Sequence, residues 1–472
     1  MSQYRPSKIS AVIVQLLLLA LLIFTPLAFA TVETWSISVT EFACLVMVVV
    51  WLVGYAVGGA RVRFRFPLAA PLLLFIGLAF AQCLPHLLGG NAASPSDDPL
   101  LNVATTNFFS TKVLLVKSLC YLGLYLCLVN TLISRREIVR VLMAVVLIGF
   151  GVSFFGLLQR VSGTDKIFWL IKMPSRHTKF MAAFVNENHF AGYMELVIPI
   201  ALAFVLRYLF RLKERGWRNL LASNDLHKAL LLSFLAIIMI ASLAMSESRG
   251  GLVGFLSSLL LIGVLLLCRR FHRRKAWVIT VLVALSFLMM IWIGLSDLLE
   301  VWGTFRRLPK DRSVLRRMEV VQGTWRAVQD YPLWGSGLGT FETVFPKYGT
   351  LRYIEGSNNN SLLYTTPHAE NDYIETLLEM GWAGLTLCLL AMVLFFRIAL
   401  RTYLTRRRLS ISLPALGGAA SIFAILVHGF SDFNLRIDAN VVLAVTIVAM
   451  VVNLSRVRHR SARHEQREAR ST

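Results

Sequence analysis

The chain is poor in cysteine, and places none where cysteine chemistry needs it. Six cysteines occur in 472 residues (Cys44, Cys83, Cys120, Cys127, Cys268 and Cys388), all within or at the ends of apolar runs. That placement excludes a disulfide framework and a zinc-binding spacing, and leaves small apolar packing as their role. Charge is also scarce at 16% of residues, and acidic charge scarcest, with 26 Asp and Glu against 48 Lys and Arg. There is no internal repeat, no low-complexity tract, no heptad run and no alternating β pattern. What remains is one domain rather than a tandem of soluble units.

Apolar length is abundant. The composition is 56% hydrophobic and the mean hydropathy is +0.65, too apolar for a soluble globular protein. Runs long enough to cross ~30 Å of hydrocarbon fall at roughly 9–29, 40–59, 68–85, 113–133, 141–158, 189–206, 229–246, 251–268, 276–296, 383–400, 411–430 and 438–455. Backbone groups cannot stay unpaired in lipid, so without β alternation these spans are helices. The expected fold is an all-α polytopic membrane protein of about 12 transmembrane helices.

A net charge of +22 suggests nucleic acid until its position is considered. With the N-terminus inside, the even-numbered connections carry Arg61, Arg63 and Arg65, then Arg135 and Arg136, the cluster in 207–228, Arg269 to Lys275 and Arg406 to Arg408. With the basic tail 456–472, about 30 of the 48 Lys and Arg lie on that side, which is the positive-inside pattern. The basic excess is thus topology and attraction to anionic membrane lipids, not nucleic-acid binding. The first run ends Leu27-Ala-Phe-Ala30, like a cleavage site. It is longer than the roughly 7–15 apolar residues of a signal peptide and reads as a retained span.

Two segments on the outer side exceed ordinary loop length, 159–188 and 297–382. The second, between spans nine and ten, is expected to form a partly helical periplasmic cap. Within it Val314, Met318, Val321, Trp325 and Val328 recur at helical steps as one apolar face. Ser313 is the expected N-cap and Pro332 follows the end. Arg316 and Arg317 would then occupy the first turn, where cations oppose the helix dipole and should be answering an anion. Gly335-Ser-Gly-Leu-Gly339 reads as a tight turn, because it lacks the Lys-Ser/Thr and βαβ context of a nucleotide loop.

Arg249 in Ser248-Arg249-Gly250 lies flush with hydrocarbon between two spans. An arginine there is costly and marks a site by default, and its planar fork grips phosphate oxygens in a bidentate way. His368, ahead of Asn371-Asp372-Tyr373, can accept a proton from a sugar hydroxyl near neutral pH, with Glu370 as the rival base. No second ligand beside His368-x-Glu370 completes a metal site, and no cofactor is expected. Asn186 and Asn188 before the sixth span and Asp432 before the last are polar candidates for sugar hydroxyls or caps. Arg160, Lys172, Arg176 and Lys179 add outer positive charge.

Taken in order, these pieces resemble one family. Ser248-Arg249-Gly250 is similar to the Ser-Arg-Gly of the bacterial O-antigen ligase and polymerase superfamily. Arg317-Met-Glu319 with Asp330-Tyr-Pro332-Leu-Trp-Gly335-Ser-Gly337-Leu-Gly339-Thr-Phe341 resembles its Arg-x-Glu and glycine block. His368-Ala-Glu-Asn371-Asp372-Tyr373 with Glu379-Met-Gly381 resembles its His/Asn-Asp-Tyr and Glu-x-Gly signature. The likeness covers roughly residues 180 to 450, including Asn186, Asn188 and Asp432. It implies a metal-independent, inverting glycosyltransferase of the bacterial inner membrane that moves a glycan from undecaprenyl diphosphate to an acceptor sugar on the periplasmic face. Arg249 and Arg317 would hold the diphosphate, with Arg316, Arg160 and the Asn-Asp-Tyr residues nearby. His368 would deprotonate the acceptor. Many members place a histidine immediately before Asn-Asp-Tyr, where this chain has Glu370, so the base stays open between the two.

Ligation to lipid A–core is the leading expectation, with polymerisation of lipid-linked repeat units second. Transfer to protein hydroxyls ranks lower because no extra C-terminal domain is expected to follow, and flipping of a lipid-linked oligosaccharide because the polar signal gathers on the outer face instead of lining the spans; a scaffold role ranks last. The resemblance gives a first test. A well-expressed Arg249→Ala variant should keep its fold and lose transfer by 100-fold or so; wild-type rates in a reconstituted transfer assay would remove Arg249 from the site.

Overall fold

A computed structural model describes residues 7–57, 65–88, 103–163, 166–172, 180–212, 221–269, 312–349, 351–353, 362–364 and 366–457. Eleven described helices are long and apolar enough to span a membrane. They are α1 (Lys8–Leu27), α2 (Thr34–Val57), α3 (Ala69–Leu87), α4 (Phe108–Thr131), α5 (Arg135–Val161), α6 (Glu187–Leu209), α7 (Asn224–Met245), α8 (Arg249–Cys268), α10 (Asp372–Thr405), α11 (Leu409–His428) and α12 (Asp438–Arg456), with the amphipathic α9 (Arg312–Asp330) ahead of α10. The expected span at 276–296 and the positions Arg176 and Lys179 lie outside the described residues. The protein is an all-α polytopic membrane protein.

Three helices form the centre. α6, α11 and α12 are almost wholly buried. The outer helices turn residues such as Phe42, Leu73, Phe154, Leu231 and Leu260 outward, as lipid-facing helices do. Small residues let the central helices approach closely: a side chain at Gly417 would meet Ala203 Cβ at 2.7 Å, and one at Gly418 would meet Val451 Cγ2 at 2.3 Å. Helix starts follow capping chemistry. Ser134 and Glu137 close a capping box on α5, and Asn107 caps α4 through the Ser110 amide.

Outside the bundle two short antiparallel hairpins form, β1 (Lys166–Ile167) with β2 (Ile171–Lys172) and β3 (Leu351–Tyr353) with β4 (Leu362–Tyr364). α9 differs from the sequence expectation in two respects. It begins at Arg312 rather than after Ser313, so Arg316 and Arg317 fall in its second turn, beyond the strongest reach of the helix dipole. Its buried face is Val320, Thr324, Ala327 and Val328, packed with Phe341, Phe345 and the first turns of α10, while Met318 and Trp325 stay half exposed. The helix seats through its small residues: Gly323 lies so near Phe345 that an added Cβ would sit 2.9 Å from its ring.

α10 starts eleven residues before the expected span at 383 and is interrupted at Gly381 (φ 62°, ψ −173°). The interruption is filled by the chain before it. Trp382 and Ala383 amides donate to Pro332 and Leu333 carbonyls, and Ser336 and Gly337 amides donate to Leu378 and Glu379 carbonyls. A Cβ at Gly381 would lie 2.2 Å from the Leu333 carbonyl oxygen, in a backbone region reserved for glycine. Gly381→Ala should therefore cost about 3 kcal/mol or more, combining backbone strain with the clash. A fall of several degrees in the melting temperature of the detergent-solubilised protein is the expected result.

Candidate active site

The site is built where α6, α8, α10 and α11 end or begin. Asn186 caps α6, its Oδ1 accepting the Asn188 amide at 2.7 Å, and Asn188 Oδ1 accepts the Ser248 hydroxyl at 2.7 Å. Ser248 Oγ in turn accepts the Gly251 amide at 3.1 Å and caps α8. Asn186 thus caps α6, and Asn188 ties the first turn of α6 to the turn before Arg249. That turn passes through Glu247 in the left-handed region (φ 56°), and Arg249, partly exposed, is the first residue of α8. The glycines beside it have a purpose that the sequence did not disclose. Gly250 backs onto His428 and Ser431, and Gly251 and Gly254 leave room for Glu195. Glu195 Oε1 pairs with His428 Nδ1 at 2.9 Å, both fully buried. A carboxylate within the apolar run of α6 was the available signal.

Arg317 reaches from α9 to the turn between α11 and α12. Its Nη1 donates to the Ser431 carbonyl at 2.8 Å. Its Nη2 lies 3.4 Å from Glu370 Oε2 and 3.9 Å from Asp432 Oδ2. Glu370 adopts a left-handed conformation (φ 55°), a strained choice for a side chain of this kind that aims its carboxylate at Arg317. Burial pushes the Glu370 carboxyl up, and Arg317 only partly offsets this, so it stays above the usual carboxylate range. Asp432 is also buried, which pushes its carboxyl up, but His189 Nε2 at 3.6 Å, with His428 and Arg317, more than reverses the effect. Arg316 on the same helix is exposed.

His368 is oriented by a carboxylate. Its Nδ1 lies 2.9 Å from Glu375 Oε1, its ring stacks on Phe433 at 4.2 Å, and Glu375 Oε2 accepts the Ala369 amide at 2.7 Å. With Nδ1–H donated to Glu375, Nε2 is left as the basic nitrogen. Behind Glu375 stands Arg436, whose Nε is 3.6 Å away and whose Nη2 donates to Glu379 Oε2 at 2.7 Å. Burial pulls the Arg436 guanidinium down, but Glu379 and Glu375 outweigh it and keep it protonated. Sequence reasoning missed Glu375 and Arg436. Asp372, Glu375 and Glu379 recur at helical steps, so a one-sided acidic face needing a cation was legible.

The Asn-Asp-Tyr residues hold the adjacent turn in place. Asn371 Oδ1 caps α10 through the Tyr373 and Ile374 amides, and its Nδ2 donates to the Phe430 carbonyl at 2.8 Å. The Asp372 amide donates to the Gly429 carbonyl, and its Oδ2 accepts the Leu435 amide at 3.2 Å. Tyr373 Oη donates to the Leu426 carbonyl at 2.6 Å. Amides of the Gly335–Gly339 turn are engaged by Leu378, Glu379 and Gln82 oxygens, so the turn packs and does not cradle a phosphate. Arg160 ends α5 at this same end of the bundle. Among the described residues no cluster of His, Cys, Asp and Glu is arranged to hold a metal ion.

A cavity of about 620 Å³ opens beside these groups, between α3, α4, α10, α11 and α12. His368, Asp372 and Arg436 line one part and Lys117, Tyr121 and Asp438 another, while Leu72, Phe75, Phe395 and Val448 make the remainder apolar. Its wall therefore suits an amphiphile with a polar, charged head.

Asp432 gives a pH test. Its folded carboxyl titrates below the ordinary value of 3.8, so its stabilising contribution is present above that value and is lost as the pH falls through the folded one. Wild-type protein should lose thermal stability below about pH 4 by a component that is absent from Asp432→Asn. Parallel melting curves of the two proteins across that window would show that Asp432 is not held ionised.

No curated protein matches the chain. Residues 234–389, about a third of the chain, match the family model described as O-Antigen ligase, and this segment contains Arg249, Arg317, His368, Glu370 and Glu375. Over it the chain is similar to a family of glycosyltransferase-like enzymes of ligase and polymerase type, and the resemblance of its motifs to the O-antigen ligase and polymerase superfamily is borne out.

Proposed function

We propose that this protein joins a glycan carried on undecaprenyl diphosphate to an acceptor sugar, by a metal-independent, inverting displacement at the periplasmic face of the bacterial inner membrane, with lipid A–core as the acceptor. The observation that carries this reading is the His368–Glu375 pair, 2.9 Å apart, beside Arg317 at a cavity whose wall is part charged and part apolar. The positive-inside charge bias supports the orientation, since it leaves Arg249, Arg317 and His368 on the outer side. The donor is a phosphate on a long hydrocarbon chain, and the cavity offers both environments.

In the proposed step, the acceptor hydroxyl gives its proton to His368 Nε2 as its oxygen attacks the anomeric carbon. The bond from that carbon to the diphosphate oxygen breaks, and the diphosphate leaves with the electron pair. Glu375 steadies the imidazolium that forms, as an orienting carboxylate does in nucleophile–base–acid arrangements. Arg317 and Arg249 meet the charge that grows on the leaving group, and a low-dielectric setting strengthens that attraction. Glu370, already paired with Arg317, is better placed to position the guanidinium than to take the proton. The lipid diphosphate bond supplies the driving force, so no nucleotide is needed.

Polymerisation of lipid-linked repeat units is the second reading. An apolar groove of about 670 Å³ lined by Leu73, Gly77, Trp334 and Trp382 offers a further seat for a lipid chain beside α3 and α10. The decisive assay supplies reconstituted protein with a single-repeat undecaprenyl-diphosphate glycan, with and without lipid A–core. Product formed only with core supports ligation; a ladder of lengthening lipid-linked glycans without core supports polymerisation. In that assay Arg317→Ala should lower the rate roughly 100-fold or more, and His368→Ala by about 100- to 10,000-fold, with Glu370→Gln milder than either. A Glu370→Gln loss larger than that of His368→Ala would move the base to Glu370.

A further inference from the structure

The cavity wall carries one more charged pair, apart from His368 and Arg436. Lys117 lies about two and a half turns into α4, and its Nζ is 2.5 Å from Asp438 Oδ1, on the first residue of α12. Asp438 is buried, whereas Lys117 keeps some access to the cavity that both line. The Tyr121 hydroxyl lies against Asp438, and Glu41 of α2 is within electrostatic reach of the pair. A lysine and an aspartate inside a membrane bundle are expensive, and they mark substrate or ion paths more often than they stabilise a fold.

Two cations line this cavity among the described residues. Arg436 is held by Glu375 and Glu379 together. Lys117 makes one ion pair, through a flexible stem with three donors on a compact head. Its partner has one further source of stabilisation, because Asp438 sits in the first turn of α12, where the helix dipole favours a negative charge.

We propose that Lys117 is an anion-holding position for the phosphate of a long-chain isoprenoid lipid seated in this cavity, and that Asp438 occupies Lys117 until such a head group displaces it. The inference rests on the lipid-linked donor of the proposed function and adds to it a residue and an exchange. A lipid phosphate entering between α4 and α12 would exchange one carboxylate oxygen for phosphate oxygens on the same ammonium group. Its hydrocarbon chain would lie along Leu72, Phe75, Phe395 and Val448.

The test uses full-length protein in phosphatidylcholine nanodiscs and measures binding of undecaprenyl phosphate. Because this probe carries no glycan, the outcome does not depend on whether transfer occurs. Lys117→Met alone would strand a buried carboxylate, so the informative variants are Asp438→Asn, which frees Lys117, and the doubly neutral Lys117→Met/Asp438→Asn, which leaves no charge unpaired. Expected are tighter binding, by several-fold, in Asp438→Asn, and binding weakened about 10-fold in the double variant, with Lys117→Arg close to wild type. A purely structural pair would leave the affinities of correctly folded variants equal within about twofold, and that result overturns the proposal. Inorganic diphosphate should not displace the lipid from wild-type protein; if it does, the pair answers any phosphate and the lipid-borne reading fails.

Discussion

The rest of the site hangs on one buried guanidinium between two carboxylates. Arg436 pairs with Glu379 at 2.7 Å and Glu375 at 3.6 Å, and removing one member of such a buried group costs about 3–5 kcal/mol because the other charges are stranded. Each carboxylate is used again. Glu375 orients His368 and accepts the Ala369 amide, while Glu379 Oε1 accepts the Phe341 amide at 3.3 Å. Three segments with no local reason to meet are thus tied to the first turns of α10: the 428–436 turn, the 366–371 stretch and the chain from Pro332 to Phe341.

The break at Gly381 makes that convergence possible. A continuous helix would have no free carbonyls to offer the 332–337 chain, and any side chain at Gly381 would collide with it. The segment before the break carries the acidic face, and the segment after it crosses the bundle. The same division separates contributions: Glu375 of α10 holds His368, whereas α8 and α9 bring Arg249 and Arg317. Cations and the imidazole therefore come from different elements, and their relative positions are set by the 428–436 turn, which Arg317, Asn371, Asp372 and Gly250 all touch.

Charge is paired throughout the site. Glu370, Asp432 and Glu375 sit among Arg317, Arg436 and two histidines, so no cation faces hydrocarbon without an acid near it among these groups. In the proposed reaction an anionic head group would meet guanidinium groups already held in position, as electrostatic stabilisation of a leaving group requires. The left-handed conformation of Glu370 is consistent with this, since strain at a site persists only where the surroundings impose it.

Much of this was legible in the sequence. Spans were readable because crossing lipid demands a long uncharged run that few other structures need. Arg249 stood out because charge beside hydrocarbon is costly, Arg317 because a cation early in a helix opposes its dipole, and His368 because an imidazole beside Glu370 and Asn371 can move a proton. The glycine turn was read correctly as a turn. α9 was recognised as a helix, and of its apolar stripe Val328 is buried while Met318 and Trp325 stay half exposed, since periodicity reports apolarity and not that Gly323 and Ala327 permit the closer approach. The asparagines could be caps or sugar ligands by sequence; in the structure Asn186 caps α6 and Asn188 accepts the Ser248 hydroxyl. What the sequence determined by itself was the class of protein and the residue types of its site, because both follow from local composition. Tertiary structure alone decided which carboxylate meets which imidazole or guanidinium. Glu375 meets Arg436, and Arg317 meets Ser431 114 positions away, and no local period relates residues so far apart.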